Sequence, residues 1–277
     1  MTTRKVLMLH GYSQNAATFL KRIGAVRKAC GKDIDFVFID APNILYPSDL
    51  AGISTNALGA AEVSTKSQAV ELDPAEIPRG WWKSNPEATI YEGVAESLEV
   101  LKAALIKDKF EGVFGFSQGA AMAALLAAVL ERPHLHQPFL VDGQSPHPPL
   151  KFCVAVSGFK ALDARWAPFF SPGYTTPTLH VLGLNDVVVV PERSRSLIAV
   201  STNSRIATHD GGHFVPSKTL WRNFFRDYLK DPLGDVPLPP SSSSLDGTPV
   251  TSAPGSGAAT PVEATASLAD EIPVSNL

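Results

Sequence analysis

The sequence predicts an α/β domain: a mostly parallel sheet of about six strands with helices on both faces, followed by a disordered C-terminal tail. Three observations carry this. Short apolar runs of strand length alternate with helical patterns through residues 1–230. The runs are nearly continuous rather than alternating, as in parallel strands covered on both faces. Composition then changes sharply after Lys230: the last 47 residues hold no Lys, Arg, His or aromatic residue, and half of them are Pro, Gly, Ser or Thr. Such a stretch cannot bury enough apolar surface to offset its ordering entropy. The expected boundaries are 1–230 for the domain and 231–277 for a Pro/Ser/Thr-rich acidic tail.

Taken in order, Lys5–His10 (KVLMLH) reads as a buried strand and Asn15–Cys30 as one helix, with Phe19, Leu20, Ile23 and Val26 on its inner stripe. Asp35–Ala41 is a second strand, stopped by Pro42-Asn43. Tyr91–Ile106 repeats apolar residues at three- and four-residue steps and predicts an amphipathic helix. Gly112–Phe116 is a strand, and Gln118–Glu131 a helix apolar nearly all round, hence central. Lys151–Ser157, Thr178–Leu184 and Ser204–Thr208 complete the strands. Pro191–Val200, with Pro in its first turn, and Pro216–Leu229 complete the helices. Two segments break the rhythm. Asn43–Asn85 is too long for an ordinary connection and ends in Arg79-Gly80-Trp81-Trp82. Arg132–Pro149 carries His134, His136 and His147 among prolines with no carboxylate cluster beside them, and reads as a solvated loop rather than a metal site.

Charge and composition exclude several functions. The 277 residues are 44% hydrophobic with a net charge of −3 and no polybasic block, so nucleic acid is not an expected partner. Cys30 and Cys153 form neither a CxxC pair nor a metal cluster and are expected as buried free thiols in a reducing compartment. The longest apolar stretch, Gly119–Leu130, is 12 residues, short of the roughly 20 needed for a membrane span. The first apolar run, Val6–Leu9, is too short for an export signal. A cytoplasmic location is expected, with the nucleus open. The final Ser-Asn-Leu only faintly echoes a peroxisomal address, because Asn replaces its basic residue. Oligomeric state has no signature here.

The chemistry centres on Gly115-Phe116-Ser117-Gln118-Gly119, a G-x-S-x-G placed between a strand and an apolar helix. That context is a nucleophile elbow: a tight, strained turn lifts the serine hydroxyl above the sheet edge, and the flanking glycines keep side chains out of the strand–helix crossing. A serine needs a base, and the order Ser…Asp…His at the ends of later strands is met by Asp186 and His213. His209 and Asp210 compete, but His209 falls at the end of its strand without the Gly211-Gly212 loop, and Asp210 is too near His213 in sequence to reach its far nitrogen. Backbone N–H groups of Tyr12, after the first strand, and of Gln118, at the helix start, are the expected oxyanion donors, with His10 bracing the loop. Trp81, Trp82, Phe116, Phe159 and Phe214 are candidates for an apolar acyl pocket. Adjacent indoles point apart, so at most one of Trp81 and Trp82 should line a cleft while the other anchors the segment.

The segments LMLHGYSQN, GFSQGAAMAALL, VSGF, LHVLGLND and GGHFVPS together resemble the fungal serine hydrolase (FSH) family and its mammalian relatives, over residues 4–230. The resemblance implies an α/β-hydrolase that cleaves carboxylic esters and, in some biosynthetic members, thioesters of polyketide chains. It implies the same triad, Ser117, Asp186 and His213. The expected partner is a small-molecule ester or thioester, with a carrier protein as a possible donor of the acyl chain; no cofactor and no metal are implied. An acyl-thioesterase and, from another class, a catalytically idle ligand-binding or interaction scaffold stand as alternatives.

Overall fold

A computed structural model describes residues 3–50, 77–85, 87 and 89–240. The chain divides into a compact unit, Met1–Leu245, and a second unit, Asp246–Leu277, which lies outside the described residues, as does most of the expected tail.

Among the described residues, ten strands and six α-helices follow in chain order. The central sheet uses β1 (Arg4–Leu9), β2 (Ile34–Ile39), β7 (Gly112–Phe116), β8 (Phe152–Val156), β9 (Thr178–Gly183) and β10 (Ser204–His209). Two-residue pairs β3 (Asn43–Ile44) with β4 (Arg79–Gly80), and β5 (Lys83–Ser84) with β6 (Tyr91–Glu92), form small antiparallel ladders. The helices are α1 (Ala16–Arg22), α2 (Gly24–Cys30), α3 (Val94–Lys107), α4 (Gln118–Glu131), α5 (Pro191–Ile198) and α6 (Thr219–Lys230). The main sheet runs β10-β9-β8-β7-β1-β2 and every pairing in it is parallel, matching the expected six strands.

Burial on both faces explains the continuous apolar strands. Leu7, Leu9, Val113, Cys153 and Ala155 join α3 and α4 in one core; Val6, Met8, Phe114, Phe152, Val154 and Val181 join α1, α2 and α6 in the other. Helix α4 is buried along its length except at Glu131, as an all-round apolar helix must be. Cys30 and Cys153 are free and buried.

The structure corrects three expectations. The helix expected over Asn15–Cys30 is two helices, because Ile23 leaves helical geometry (φ −90°, ψ 6°) before α2 restarts at Gly24. Helix α3 begins at Val94 rather than Tyr91: Gly93 takes φ 91°, and a Cβ there would stand 2.1 Å from the Asn43 side chain, so the chain turns and Tyr91–Glu92 pairs as a strand. Finally, the loop 132–149 is not simply solvated. His147 is buried, its Nε2 accepting from the Phe110 N–H at 3.0 Å, and His136 packs edge-on to Trp166. No cluster of three or more metal-ligating side chains occurs among the described residues. Nor, among them, is any helix long and apolar enough to cross a membrane.

The segment beyond Lys230 does not leave the domain at once. Val236 packs against the α6 core, and the Arg205 guanidinium of edge strand β10 donates to the carbonyls of Gly234 and Val236.

Candidate active site

Strand β7 ends at Phe116 and α4 begins at Gln118, leaving Ser117 alone in the turn with φ 55° and ψ −121°. A non-glycine residue in the left-handed region is strained by ~1–2 kcal/mol. The turn is held regardless: the Ser117 N–H donates to the Val156 carbonyl at 2.8 Å, and its own carbonyl accepts from Ala120 and Ala121. Gly115 is obligatory, since a Cβ there would stand 2.2 Å from the Gly119 carbonyl oxygen.

Loops after β9 and β10 bring the remaining groups to the same sheet edge. His213 Nε2 lies 2.9 Å from Ser117 Oγ, and His213 Nδ1 lies 2.8 Å from Asp186 Oδ2. The other carboxyl oxygen, Oδ1, accepts from the N–H groups of Val188 and Val189 at 2.9 and 2.8 Å. Burial pushes the Asp186 carboxyl up, but the bond and charge of His213, the Val189 N–H and the Ser157 hydroxyl outweigh it and hold the acid below its usual range. An ionised carboxylate only accepts, so Nδ1 carries the proton and Nε2 is free to accept from Ser117. Close packing of the two loops sets this geometry: the Leu184 N–H donates to the His209 carbonyl, and a Cβ at Gly183 would meet the Gly212 oxygen at 2.5 Å.

The competing residues lie elsewhere. His209 is buried against Phe214 and Trp221, with Nδ1 accepting from the Gly211 N–H; its pKa is lowered chiefly by burial. Asp210 offers its backbone carbonyl to the Asn185 side chain.

The loop after β1 lies over the elbow, and a Cβ on Gly11 would reach 3.4 Å from Ser117 Cβ. His10 braces it from within: its Nδ1–H donates to the Gly11 carbonyl at 2.8 Å, and Nε2 accepts from the Ala41 N–H at 3.0 Å. Burial drives its pKa down to about 4, so the ring stays neutral in this role. Among the described residues neither the Tyr12 nor the Gln118 backbone N–H donates to another group.

The five aromatic pocket candidates separate. Phe116 is buried beneath the site, its ring 4.8 Å from that of His213 and stacked on Phe19. Phe214 is exposed beside His209. Phe159 meets Trp82 edge-on, with the Arg193 guanidinium 4.3 Å above its ring. Both indoles are buried: Trp82 stacks on Tyr91 at 4.9 Å, while Trp81, at 0% exposure, takes the anchoring role. The expected long loop before them falls largely in 51–76, outside the described residues.

Two features beside the site escape sequence reasoning. Ser157, at the end of β8, is buried with φ 49° and lies against Asp186, though among the described residues its hydroxyl has no partner in full hydrogen-bond geometry. The Gln118 side chain grips the Trp81–Trp82 backbone. Neither has a local signal, because a backbone angle and a non-local contact leave no mark on residue order.

Residues 1–225 match the family described as Serine hydrolase (FSH1). The chain is similar to esterase OVCA2 of Danio rerio, 34% identical over 238 residues that span 82% of this chain and 96% of that relative. Its fold is shared with the crystal structure of Zea mays acyl-protein thioesterase 2 (TM-score 0.52, 17% identity, 84% of this chain and 95% of that one). It is shared equally with that of esterase PE8 (TM-score 0.53, 19% identity, 83% and 93%). Nearly the whole described domain is thus accounted for by one family, and the chain belongs to the FSH1 serine hydrolases.

Proposed function

We propose that the chain hydrolyses carboxylic esters through an acyl-enzyme on Ser117. The observation that carries this reading is the unbroken line Ser117 Oγ–His213–Asp186, with contacts of 2.9 and 2.8 Å. Ser117 Oγ attacks the acyl carbonyl as His213 Nε2 takes its proton. The carbonyl oxygen gains the negative charge and is met by the N–H groups of Tyr12 and Gln118. Collapse expels the alkoxide, which receives the proton from Nε2, leaving an acyl ester on Ser117. A water, deprotonated by the same nitrogen, repeats the addition; collapse frees the acid and returns the proton to Ser117. Asp186 stays ionised throughout, fixing the imidazole tautomer and stabilising the imidazolium. All of these groups lie within residues 1–230, which we take as the hydrolase domain.

A fluorophosphonate probe and a chain-length series of aryl esters test this. Covalent labelling of wild-type at Ser117, located by peptide mass spectrometry, with turnover abolished in Ser117→Ala, is expected. An unlabelled wild-type protein, or a Ser117→Ala variant that still turns over, overturns it. Matched acyl-thioesters share the electrophilic carbonyl and enter the same assay to rank the two substrate classes.

A further inference from the structure

The two backbone donors assigned to the oxyanion come from segments far apart in sequence, the loop after β1 and the first residue of α4. Parallel pairing of β1 with β7 ends at Leu9 opposite Gly115. Beyond that rung no ladder bond joins the two segments. Yet a donor serves only if it stands ~2.7–3.1 Å from where the oxyanion forms, and a shift of ~0.5 Å degrades the site.

Trp81 spans this gap with both of its donors. Its indole Nε1–H donates to the His10 carbonyl at 2.8 Å, and its ring packs on the His10 imidazole at 5.3 Å. Its backbone N–H donates to Gln118 Oε1 at 2.7 Å, and its carbonyl accepts from Ser97 Oγ at 2.6 Å. Gln118 closes the clamp by donating from Nε2 to the Trp82 carbonyl at 2.9 Å. Trp81 is wholly buried and Gln118 nearly so, so no water competes for these bonds. A tryptophan serving only as core filler needs one partner for its indole. Here the donors point to the two oxyanion segments.

We propose that Trp81, clamped by the Gln118 side chain, is a positioning strut that sets the separation of the Tyr12 and Gln118 N–H groups, and so acts on the transition state rather than on substrate binding. The proposal rests on the oxyanion assignment above. It reassigns Trp81 from candidate pocket wall to strut.

The test uses the full chain with Trp81→Phe, which deletes the indole donor, and Gln118→Met, which keeps the length of the side chain and its neutrality but removes the amide that clamps Trp81 and Trp82. Each is expected to lower kcat by about tenfold to a hundredfold, less than loss of a whole donor, with KM within about twofold. Affinity for an aryl boronic acid, whose tetrahedral adduct on Ser117 mimics the transition state, should fall by the same factor as kcat/KM. The double variant should be little worse than either single one, because both changes break one strut. Phe139→Leu, a buried core change outside the triad and both oxyanion segments, controls for stability: matched thermal loss with unchanged kcat is expected. A rise in KM alone, or unchanged boronate affinity, makes Trp81 a binding residue and overturns the proposal. If Trp81→Phe does not fold, Gln118→Met decides alone. Should Ser117→Ala remain active, the hydrolytic reading fails; should it be dead while both strut variants keep full kcat, only this inference fails.

Discussion

Gly119 lies directly against Leu9: a Cβ on that glycine would stand 2.2 Å from the Leu9 carbonyl oxygen and 2.4 Å from that of His10. Helix α4 therefore meets the end of β1 backbone to backbone, and this packing holds the turn at Ser117. Neither atom it would strike is a flexible side-chain end, so the helix itself must move to admit a methyl group. Gly119→Ala is expected to destabilise the fold by ~1–3 kcal/mol or more and to depress turnover by shifting Ser117. Urea and thermal unfolding check the first effect; a substitution without cost in both would contradict this account of the crossing.

Asp186→Asn isolates the orienting acid. The amide oxygen still accepts from Val188 and Val189, so the loop keeps its shape. The amide nitrogen facing His213 Nδ1 then favours the wrong tautomer, and kcat is expected to fall by roughly 10³–10⁴ with the circular dichroism spectrum unchanged. A loss below tenfold would point to another carboxylate as the orienting group.

Acid should weaken the fold through histidines that are buried neutral. Burial lowers His10 and His180 to about 4, against an unfolded value near 6.5. Between those values the unfolded chain binds more protons, so stability falls as pH drops from about 6.5 to 4 and levels off below, by on the order of 3 kcal/mol per histidine. Among the described residues His180 Nε2 also has no hydrogen-bond partner. His180→Leu is therefore expected to hold or raise the midpoint at pH 7 and to flatten the acid slope. Unfolding midpoints from pH 4 to 8 measure both; an unchanged slope in the variant would remove His180 from the explanation.

Truncation distinguishes the two parts of the C-terminal segment. Ending the chain after Lys230 removes the Val236 packing and both carbonyl acceptors of Arg205, and is expected to lower the thermal midpoint by several degrees, since ~1 kcal/mol corresponds to ~2–4 °C in a domain of this size. Ending it after Pro240 keeps those contacts and should leave midpoint and activity unchanged. Differential scanning calorimetry of both forms is the measurement, and equal midpoints would show that the Val236 contact contributes nothing.

By itself the order of residues determined the six strands, the strand–turn–helix at Ser117 and the succession Ser117, Asp186, His213. These follow from apolar periodicity, glycine placement and the position of each residue at a strand end, all of which are local. Tertiary structure alone decided what depends on contacts across the chain. It set the contact that joins His213 to Ser117, with Nε2 2.9 Å from Oγ. It buried Trp81 and Trp82 together, split the first helix at Ile23, enclosed His147 and placed Ser157 at a positive φ beside Asp186. The physical reason is common to all of these. A residue's periodicity states which face it offers, but the partner that satisfies a buried polar atom is supplied by a distant segment and is known only once the layers have packed.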